Sequence, residues 1–186
     1  MLRFFDIVFS FCGLIIVSFL LMILIIIGLF DTGSPLFRQI RVGRNRKPFT
    51  LVKLRTMKPN TVHVATHLAD SSAITAFGKF LRRTKLDELP QLWNVLKGEM
   101  SIVGPRPCLF SQEDLIEARE QLGVFRARPG ITGLAQVNEI DMSTPRLLAE
   151  TDTRMLTTLG AKDYFRYILM TVGGKGSGDR VRKDQG

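Results

Sequence analysis

The sequence contains few of the residues that build disulfide-linked or metal-bound folds. Its 186 residues include two cysteines and two histidines. Cys12 lies in an apolar stretch and Cys108 in a distant polar segment, so the pair does not resemble a disulfide framework and fits free thiols in a reducing compartment. His63 and His67 have no acidic third ligand nearby, and we therefore expect surface histidines in a mobile loop rather than metal ligands.

Acidic residues are also scarce relative to basic ones. There are 26 Lys and Arg against 17 Asp and Glu, which gives a formal net charge of +9. Such a balance indicates an anionic partner, which could be nucleic acid, anionic lipid or a phosphorylated substrate. No nucleic-acid-binding module is recognisable, and aromatic residues do not alternate with the basic ones as a stacking surface requires. We therefore predict no nucleic-acid partner.

Charge is absent altogether between Ile7 and Phe30. This run of roughly two dozen residues is long enough to cross the hydrocarbon core as a helix, which takes about 20. A secretory signal peptide is the main alternative, but the run is too long and no small-x-small cleavage site precedes Asp31. A buried core helix would be apolar on one side, whereas this run is apolar on nearly all faces. A retained membrane anchor is therefore predicted.

A dense group of basic residues follows the anchor. Positive residues beside an apolar segment mark the cytoplasmic side of a membrane, and they attract anionic phospholipids. The rest of the chain is accordingly expected at the cytoplasmic face, against the lipid headgroups. The group consists of Arg38, Arg41, Arg44, Arg46, Lys47, Lys53, Arg55 and Lys58.

Local patterns predict a β-hairpin followed by several helices. Alternating apolar residues predict strands at 36–42 and 48–57. Thr84 and Asp87 have the Ser/Thr-x-x-acid pattern of a helix start, with an end at Gly98. Residues 162–172 are amphipathic and fit either a membrane-interface helix or an ordinary docking helix. Further helices are predicted at 74–83, 111–123 and 145–159, with Gly- and Pro-rich loops at 102–107 and 128–133.

Asp87 and Glu88 are adjacent carboxylates near a predicted helix start. The unpaired N–H groups at such a position favour ionised acids. An ionised aspartate there can attack a phosphorus atom or hold a divalent ion. On this local pattern alone, an acidic residue that simply caps a surface helix is the better-supported interpretation.

Longer stretches of sequence change that interpretation. Residues 83–107 (RTKLDELPQLWNVLKGEMSIVGPRP) closely resemble the signature of the bacterial sugar transferase family, the monotopic phosphoglycosyl transferases. Residues 53–57 (KLRTM) resemble its basic strand motif, and residues 128–137 (RPGITGLAQV) resemble its third block. The blocks occur in the family's order and spacing, and the resemblance covers nearly the whole chain.

The resemblance implies an enzyme that moves a sugar 1-phosphate from a UDP-sugar to polyprenyl (undecaprenyl) phosphate and releases UMP. It implies a ping-pong mechanism in which Asp87 is the nucleophile, Glu88 is the second catalytic acid and Mg²⁺ binds at Asp87. The expected location is the bacterial inner (cytoplasmic) membrane, with the catalytic domain on the cytoplasmic face. The residues expected to bind phosphate or substrate are Lys53, Arg55, Arg82, Arg106, Arg128 and Asp152.

The predicted fold class is α+β. An N-terminal membrane-embedded helix, expected to re-enter rather than cross, precedes a small helix-rich cytoplasmic domain with a short β-hairpin and interfacial amphipathic helices. The expected domains are a membrane helix (1–31), a catalytic domain (32–172) and a polar, disordered tail (173–186).

Two departures from the family pattern leave questions open. Ser18-Phe19 stands where the family often has Ser-Pro, so no proline forces a bend, and both re-entry and a full crossing stay open. Residues 139–141 (EID) replace a common Gly-Arg pair in a region that could select the sugar. The sugar and assembly into a homo-oligomer also stay open. The alternatives to an enzyme are a membrane-tethered basic binding protein and an inactive scaffold.

Overall fold

The computed structural model describes residues 2–59, 61 and 71–176. Within them, a long N-terminal helix precedes a small domain that combines helices with two short sheets, so the α+β class is confirmed. His63 and His67 lie outside the described residues, as does the tail from residue 177 onward.

Most of the predicted elements are present, several with shorter bounds. The helices are α1 (Leu2–Thr32), α2 (Ala76–Thr84), α3 (Gln91–Lys97), α4 (Glu113–Gln121), α5 (Leu134–Val137), α6 (Pro145–Thr158) and α7 (Ala161–Val172). The strands are β1 (Leu36–Val42), β2 (Pro48–Leu54), β3 (Ser101–Val103) and β4 (Gly130–Thr132). Single 3-10 turns occupy Arg44–Arg46, Ser71–Ala73, Leu86–Glu88 and Val124–Arg126.

The predicted hairpin is confirmed. β1 and β2 pair antiparallel, with Leu36 opposite Leu54 and Val42 opposite Pro48. The second strand ends at Leu54 instead of continuing to residue 57, where Met57 forms only an isolated bridge to Ile74. The hairpin therefore holds the basic strand motif beside the chain that enters α2.

A second sheet was not predicted. β3 and β4 pair in parallel, with Ser101 opposite Gly130 and Val103 opposite Thr132. Both segments were predicted as loops, which is wrong because strands of three residues are too short to show an alternating pattern. Gly130 has to be glycine here, since a Cβ on it would overlap the backbone of Gly104.

The helix α3 begins later than the Thr84 pattern predicts, as the position of Pro90 requires. Thr84 ends α2, and its hydroxyl donates to the carbonyl of Phe80 at 2.9 Å instead of capping the next helix. The chain reverses at Lys85, which is in the left-handed conformation (φ 57°). Pro90 stands immediately before the first residue of α3, where a missing N–H costs no hydrogen bond.

A hydrophobic core joins the hairpin to the C-terminal helices, and the first turns of α1 pack against it. The buried residues of this core include Phe49, Leu51, Val95, Met100, Met155 and Tyr164, with Leu2 and Phe5 of α1 at its edge. A smaller cluster joins Leu24 of α1 to Leu54 and Leu81.

The N-terminal end of α1 is fixed to the domain by a buried carboxylate. Oδ1 of Asp6 accepts hydrogen bonds from the Ser101 hydroxyl, the Ile102 N–H and the Tyr164 hydroxyl, each at 2.9 Å. The Arg3 guanidinium lies 3.7 Å from Oδ2 of Asp6. A buried carboxylate is stable only with such partners, so this end of the helix is locked onto β3 and α7.

The C-terminal end of α1 contacts the same domain. Gly28 lies against Pro35 and Phe77 so closely that a Cβ on it would meet Pro35 at 2.9 Å. The Thr75 hydroxyl donates to Asp31 at 2.7 Å. Buried positions along α1, at Asp6, Ser10, Leu24 and Gly28, form a single stripe that faces the domain over the length of the helix.

The remaining faces of α1 are apolar and exposed, from Phe4 to Phe30. Among the described residues it is the one helix long and apolar enough to cross a membrane, a criterion of length and composition alone. It runs without interruption through Ser18, whose hydroxyl donates to the Ile15 carbonyl at 2.8 Å. Re-entry into the same face stays a prediction.

The Asp6–Tyr164 contact predicts a pH dependence of stability. Burial, followed by the Asp6 carboxylate, raises the pKa of Tyr164 above the usual value of 10.0. Above about pH 10 the unfolded chain loses this proton while the folded chain keeps it, so the free energy of unfolding should fall by up to about 1.4 kcal/mol per pH unit. Tyr164→Phe should remove this component, and equilibrium unfolding in detergent at pH 8–11 measures it.

The same substitution should cost about 1 kcal/mol at neutral pH, because it removes one hydrogen bond to Asp6. Equal alkaline slopes for the wild type and Tyr164→Phe would show that Tyr164 is not the group responsible.

Candidate active site

Asp87 and Glu88 lie in the tight 3-10 turn between α2 and α3. The left-handed Lys85 that precedes this turn donates its N–H to the Arg82 carbonyl at 3.2 Å, which ends α2 and reverses the chain. A non-glycine residue adopts this conformation at a cost of roughly 1 kcal/mol, so the reversal is imposed by its surroundings. The reversal turns Asp87 inward, where it is only 5% exposed.

The predicted partner Arg106 does meet this turn. Nη2 of Arg106 lies 3.4 Å from Oε1 of Glu88, so the two ends of the 83–107 motif come together. Arg106 stands between two prolines in a loop that β4 holds in place. The Gly104 N–H donates to the Thr132 carbonyl at 2.8 Å, and the Gly130 N–H donates to the Pro105 carbonyl at 2.8 Å. A guanidinium on a fixed loop therefore lies next to the acid pair.

Arg82 provides a second guanidinium on the last turn of α2. Its Nε donates to the Thr56 hydroxyl at 2.9 Å, which connects α2 to the 53–57 motif. Its Nη1 is buried and has no hydrogen-bond partner within the part of the chain that the structure describes. Leaving a buried donor unsatisfied is unfavourable, and an anionic ligand would supply the missing acceptor.

Lys53 and Arg55 lie on the same strand motif and share a partner. The Lys53 ammonium and the Arg55 guanidinium each lie 5.6 Å from the centre of the Phe37 ring. Arg55 also donates to the Ser34 carbonyl at 2.8 Å, in the turn that follows α1. These contacts hold the hairpin and the end of α1 together, and a phosphate-binding role for either residue stays a prediction.

Arg128 points to the other end of α3. Its Nε donates to the carbonyl of Gly98 at 2.9 Å, just after α3 ends, whereas Asp87 precedes α3. The seven residues of α3 separate the two by about 10 Å of helix rise. Burial, followed by repulsion from Arg3 and Arg44, lowers the pKa of Arg128. The structure does not bring its guanidinium to the acid pair, and its predicted phosphate contact stays a prediction.

Asp152 lies on α6 and is fully buried. Its Oδ2 accepts two hydrogen bonds from Arg119. The carboxylate is therefore paired with an arginine inside the protein and is not at an open surface. Burial raises the pKa of Asp152, and the adjacent Arg119 opposes that rise. Burial likewise raises the pKa of the nearby Cys108 thiol, which is a free cysteine. A direct substrate contact by Asp152 stays a prediction.

The chain beyond α7 also reaches the site, which the sequence did not indicate. The tail is predicted to be disordered from residue 173, yet the Lys85 ammonium donates to the Lys175 carbonyl at 2.7 Å. Gly176 (φ 70°) packs so closely on the backbone of Gln136 that a Cβ would overlap it. A glycine-rich composition is typical of disorder and also permits such close packing, so composition alone could not distinguish them.

The acid pair supplies carboxylates, a donor type that Mg²⁺ uses when it binds together with substrate, and Mg²⁺ at Asp87 stays a prediction. No group of three or more His, Cys, Asp or Glu residues that could hold a metal occurs among the residues that the structure describes. Mg²⁺ commonly uses one or two carboxylates and completes its shell with substrate phosphates and water. Asp87 and Glu88 match that type of donor set.

The comparisons with known proteins agree with the sequence motifs. The sequence profile of the family described as bacterial sugar transferase matches residues 1–174. The UDP-glucose:undecaprenyl-phosphate glucose-1-phosphate transferase of Caulobacter vibrioides is 40% identical over 144 residues, which cover 72% of this chain and 54% of that protein. The uncharacterized sugar transferase EpsL of Bacillus subtilis is 40% identical over 137 residues, covering 73% of this chain and 67% of EpsL.

A third relative is much longer than this chain. The undecaprenyl-phosphate galactose phosphotransferase of Salmonella typhimurium is 39% identical over 163 residues, which cover 76% of this chain and 34% of that protein. The chain thus spans about half of the Caulobacter protein, two thirds of EpsL and one third of the Salmonella protein.

Close packing of α2 on the 53–57 motif predicts a sensitive glycine. A Cβ at Gly78 of α2 would overlap the backbone of Thr56, so Gly78→Ala should push α2 and Arg82 away from the 53–57 motif. We expect the free energy of unfolding to fall by about 2 kcal/mol, which lowers the thermal midpoint in detergent by roughly 4–8 °C. Gly160→Ala is the matched control because no atom lies within 4 Å of its Cβ position. Equal midpoints for the two variants would contradict the packing.

Proposed function

The chain belongs to the bacterial sugar transferase family, and from this premise we propose that it transfers a sugar 1-phosphate from a UDP-sugar to undecaprenyl phosphate. The names of the Caulobacter and Salmonella relatives support this reaction. The observation that carries the proposal is the meeting of the Asp87–Glu88 turn with Arg106. A buried carboxylate beside a fixed guanidinium suits phosphoryl transfer, in which a nucleophile and a positive charge act on one phosphate group.

In the proposed first step, a carboxylate oxygen of Asp87 attacks the β-phosphorus of the UDP-sugar. A P–O bond to Asp87 forms, and the bond from that phosphorus to the oxygen bridging to the α-phosphorus breaks. UMP leaves with the bridging oxygen and its electron pair. The sugar phosphate remains on Asp87 as an acyl phosphate.

In the second step, a phosphate oxygen of undecaprenyl phosphate attacks the same phosphorus. The new P–O bond gives the undecaprenyl-diphosphate sugar, and the bond to Asp87 breaks with its electrons returning to the carboxylate. The enzyme is thus regenerated without an added oxidant, reductant or water molecule.

The neighbouring residues are assigned supporting roles. Glu88 holds the Arg106 guanidinium beside the acid turn, where it can stabilise negative charge on the transferred phosphate. Nη1 of Arg82, which has no hydrogen-bond partner among the described residues, is suited to donate a hydrogen bond to a phosphate oxygen. Asp87 would hold Mg²⁺ together with the substrate phosphates, and the ion would offset the charge of the diphosphate.

The covalent step predicts an exchange reaction that needs no lipid acceptor. Purified protein with Mg²⁺, a UDP-sugar and labelled UMP should transfer label into the UDP-sugar, because the first step is reversible and independent of undecaprenyl phosphate. Asp87→Asn should abolish the exchange, since the amide is a poor nucleophile. A panel of UDP-glucose, UDP-galactose and UDP-N-acetylhexosamines, read by chromatography of the label, also identifies the donor.

Asp31→Asn is a suitable control, because the Asp31 carboxylate accepts a hydrogen bond from the Thr75 hydroxyl at the end of α1 and has no role in the proposed steps. This variant should catalyse the UMP exchange at the wild-type rate. Transfer to undecaprenyl phosphate without any exchange would exclude the covalent intermediate but keep the reaction. No UMP release from the wild type with any donor would leave the tethered binding protein or the inactive scaffold.

We further propose that both ends of α1 lie at the cytoplasmic face of the inner membrane. At about 1.5 Å per residue the 31-residue helix is roughly 46 Å long. Arg3 donates to the Leu96 carbonyl near one end, and Asp31 bonds to Thr75 at the other. If α1 crossed the bilayer, these two polar contacts of one domain would have to lie on opposite sides of about 30 Å of hydrocarbon.

A labelling experiment tests this topology. A single cysteine on a short Gly/Ser extension before residue 2, in a background with both native cysteines replaced (Cys12→Ser and Cys108→Ala), should react with a membrane-impermeant maleimide only after the inner membrane is opened. A cysteine at the highly exposed Arg146 gives the reference for the cytoplasmic side. Labelling of the extension in intact spheroplasts would show that α1 crosses.

A further inference from the structure

Arg119 is the largest of the fully buried side chains, and no step of the proposed reaction uses it. We propose that Arg119 and Asp152 are positioning residues of the active site, which hold the backbone of Arg106 so that its guanidinium faces Glu88. This inference rests on the proposed function for its kinetic consequences. It adds Arg119 on α4 and Asp152 on α6, which are connected to the acid pair through Arg106.

The contacts form a continuous chain from α6 to the acid pair. Arg119 donates from Nε and Nη2 to Oδ2 of Asp152 at 3.0 and 2.7 Å. Its remaining nitrogen, Nη1, donates to the backbone carbonyl of Arg106 at 2.8 Å. The side chain of Arg106 then reaches Glu88 at 3.4 Å. Asp152 therefore orients the Arg119 guanidinium, and the Nη1 of that guanidinium holds the loop at residues 104–107, called here the catalytic loop.

The surrounding loop is restrained at almost every residue, so a displacement at Arg106 cannot be absorbed nearby. Pro105 accepts from the Gly130 N–H at 2.8 Å, and Pro107 accepts from Nη1 of Arg41 at 3.1 Å. Cys108 accepts from the Val42 N–H at 3.0 Å. The two prolines also fix their own φ angles and restrict the residue that precedes each of them.

Stability alone does not account for this pair. A buried ion pair can often be replaced by apolar residues of similar volume without loss of stability. Oδ1 of Asp152 is buried and has no hydrogen-bond partner among residues 2–59, 61 and 71–176, so the pair is not fully satisfied within them. What an apolar pair could not supply is the third hydrogen bond, from Arg119 to the Arg106 carbonyl.

A paired apolar replacement separates the two roles. Arg119→Met with Asp152→Leu should keep the thermal midpoint close to that of the wild type. Its kcat for UMP release should nevertheless fall about 100-fold, as expected for a catalytic group displaced by about 1 Å, with a smaller change in KM. Arg146→Met with Glu150→Leu, an exposed ion pair on the same helix as Asp152, is the matched control and should retain the wild-type kcat.

A double-mutant cycle with Arg106→Ala tests the route of the effect. If Arg119 acts through Arg106, adding Arg119→Met and Asp152→Leu to Arg106→Ala should reduce kcat no further. A wild-type kcat in the paired variant, or effects that multiply in the combined variant, would overturn the inference.

A chemical readout keeps the test independent of catalysis. Phenylglyoxal modifies accessible arginines, and mass spectrometry can follow its rate at Arg106. That rate should rise several-fold in the paired variant, because the loop opens more often. An unchanged modification rate at Arg106 would overturn the inference, whether or not the protein turns over any donor. An absence of turnover with every donor would count against the proposed function instead.

If the paired variant does not fold, Arg119→Lys serves in its place. Lysine keeps the charge opposite Asp152 but lacks the fork that also reaches the Arg106 carbonyl. The same loss of kcat and the same faster modification are expected, and wild-type values for both would overturn the inference.

Discussion

Two short backbone segments meet at Gly104 and Gly130 without room for a side chain between them, and the geometry of the active site depends on this approach. The approach allows β3 and β4 to pair in parallel and lets Gly130 donate to the Pro105 carbonyl. That hydrogen bond fixes the base of the loop that presents Arg106 to Glu88. A Cβ at either glycine would separate the strands and carry the guanidinium away from the acid turn.

The same strand connects the site to the long apolar helix α1. Asp6 binds the Ile102 N–H of β3, two residues before Gly104. The helix, the strand and the catalytic loop therefore form one hydrogen-bonded unit. The arrangement therefore couples the position of the long apolar helix to the position of the loop that carries Arg106 to Glu88.

Local patterns in the sequence were sufficient for elements that carry a long, regular signal. The hairpin and α6 appear close to their predicted bounds, because alternation and helical spacing extend over enough residues to be recognised. Strands of three residues carry no such signal, so β3 and β4 were mistaken for loops. Thr84 resembled the N-cap of the following helix, but it is the last residue of α2 and its hydroxyl donates to the Phe80 carbonyl of that helix.

The sequence by itself determined the long apolar helix and the family and pointed to the Asp87–Glu88 pair, because these depend on uninterrupted apolar length and on contiguous motifs. Only the tertiary structure decided which basic residue meets the pair. Arg106 does, whereas Arg128 turns to Gly98. The acidic Asp152, also predicted at the substrate, instead accepts hydrogen bonds from Arg119. The directions of these side chains follow from the chain reversal at Lys85 and from pairing between segments far apart in the chain. Neither can be predicted from the residues that are neighbours in sequence.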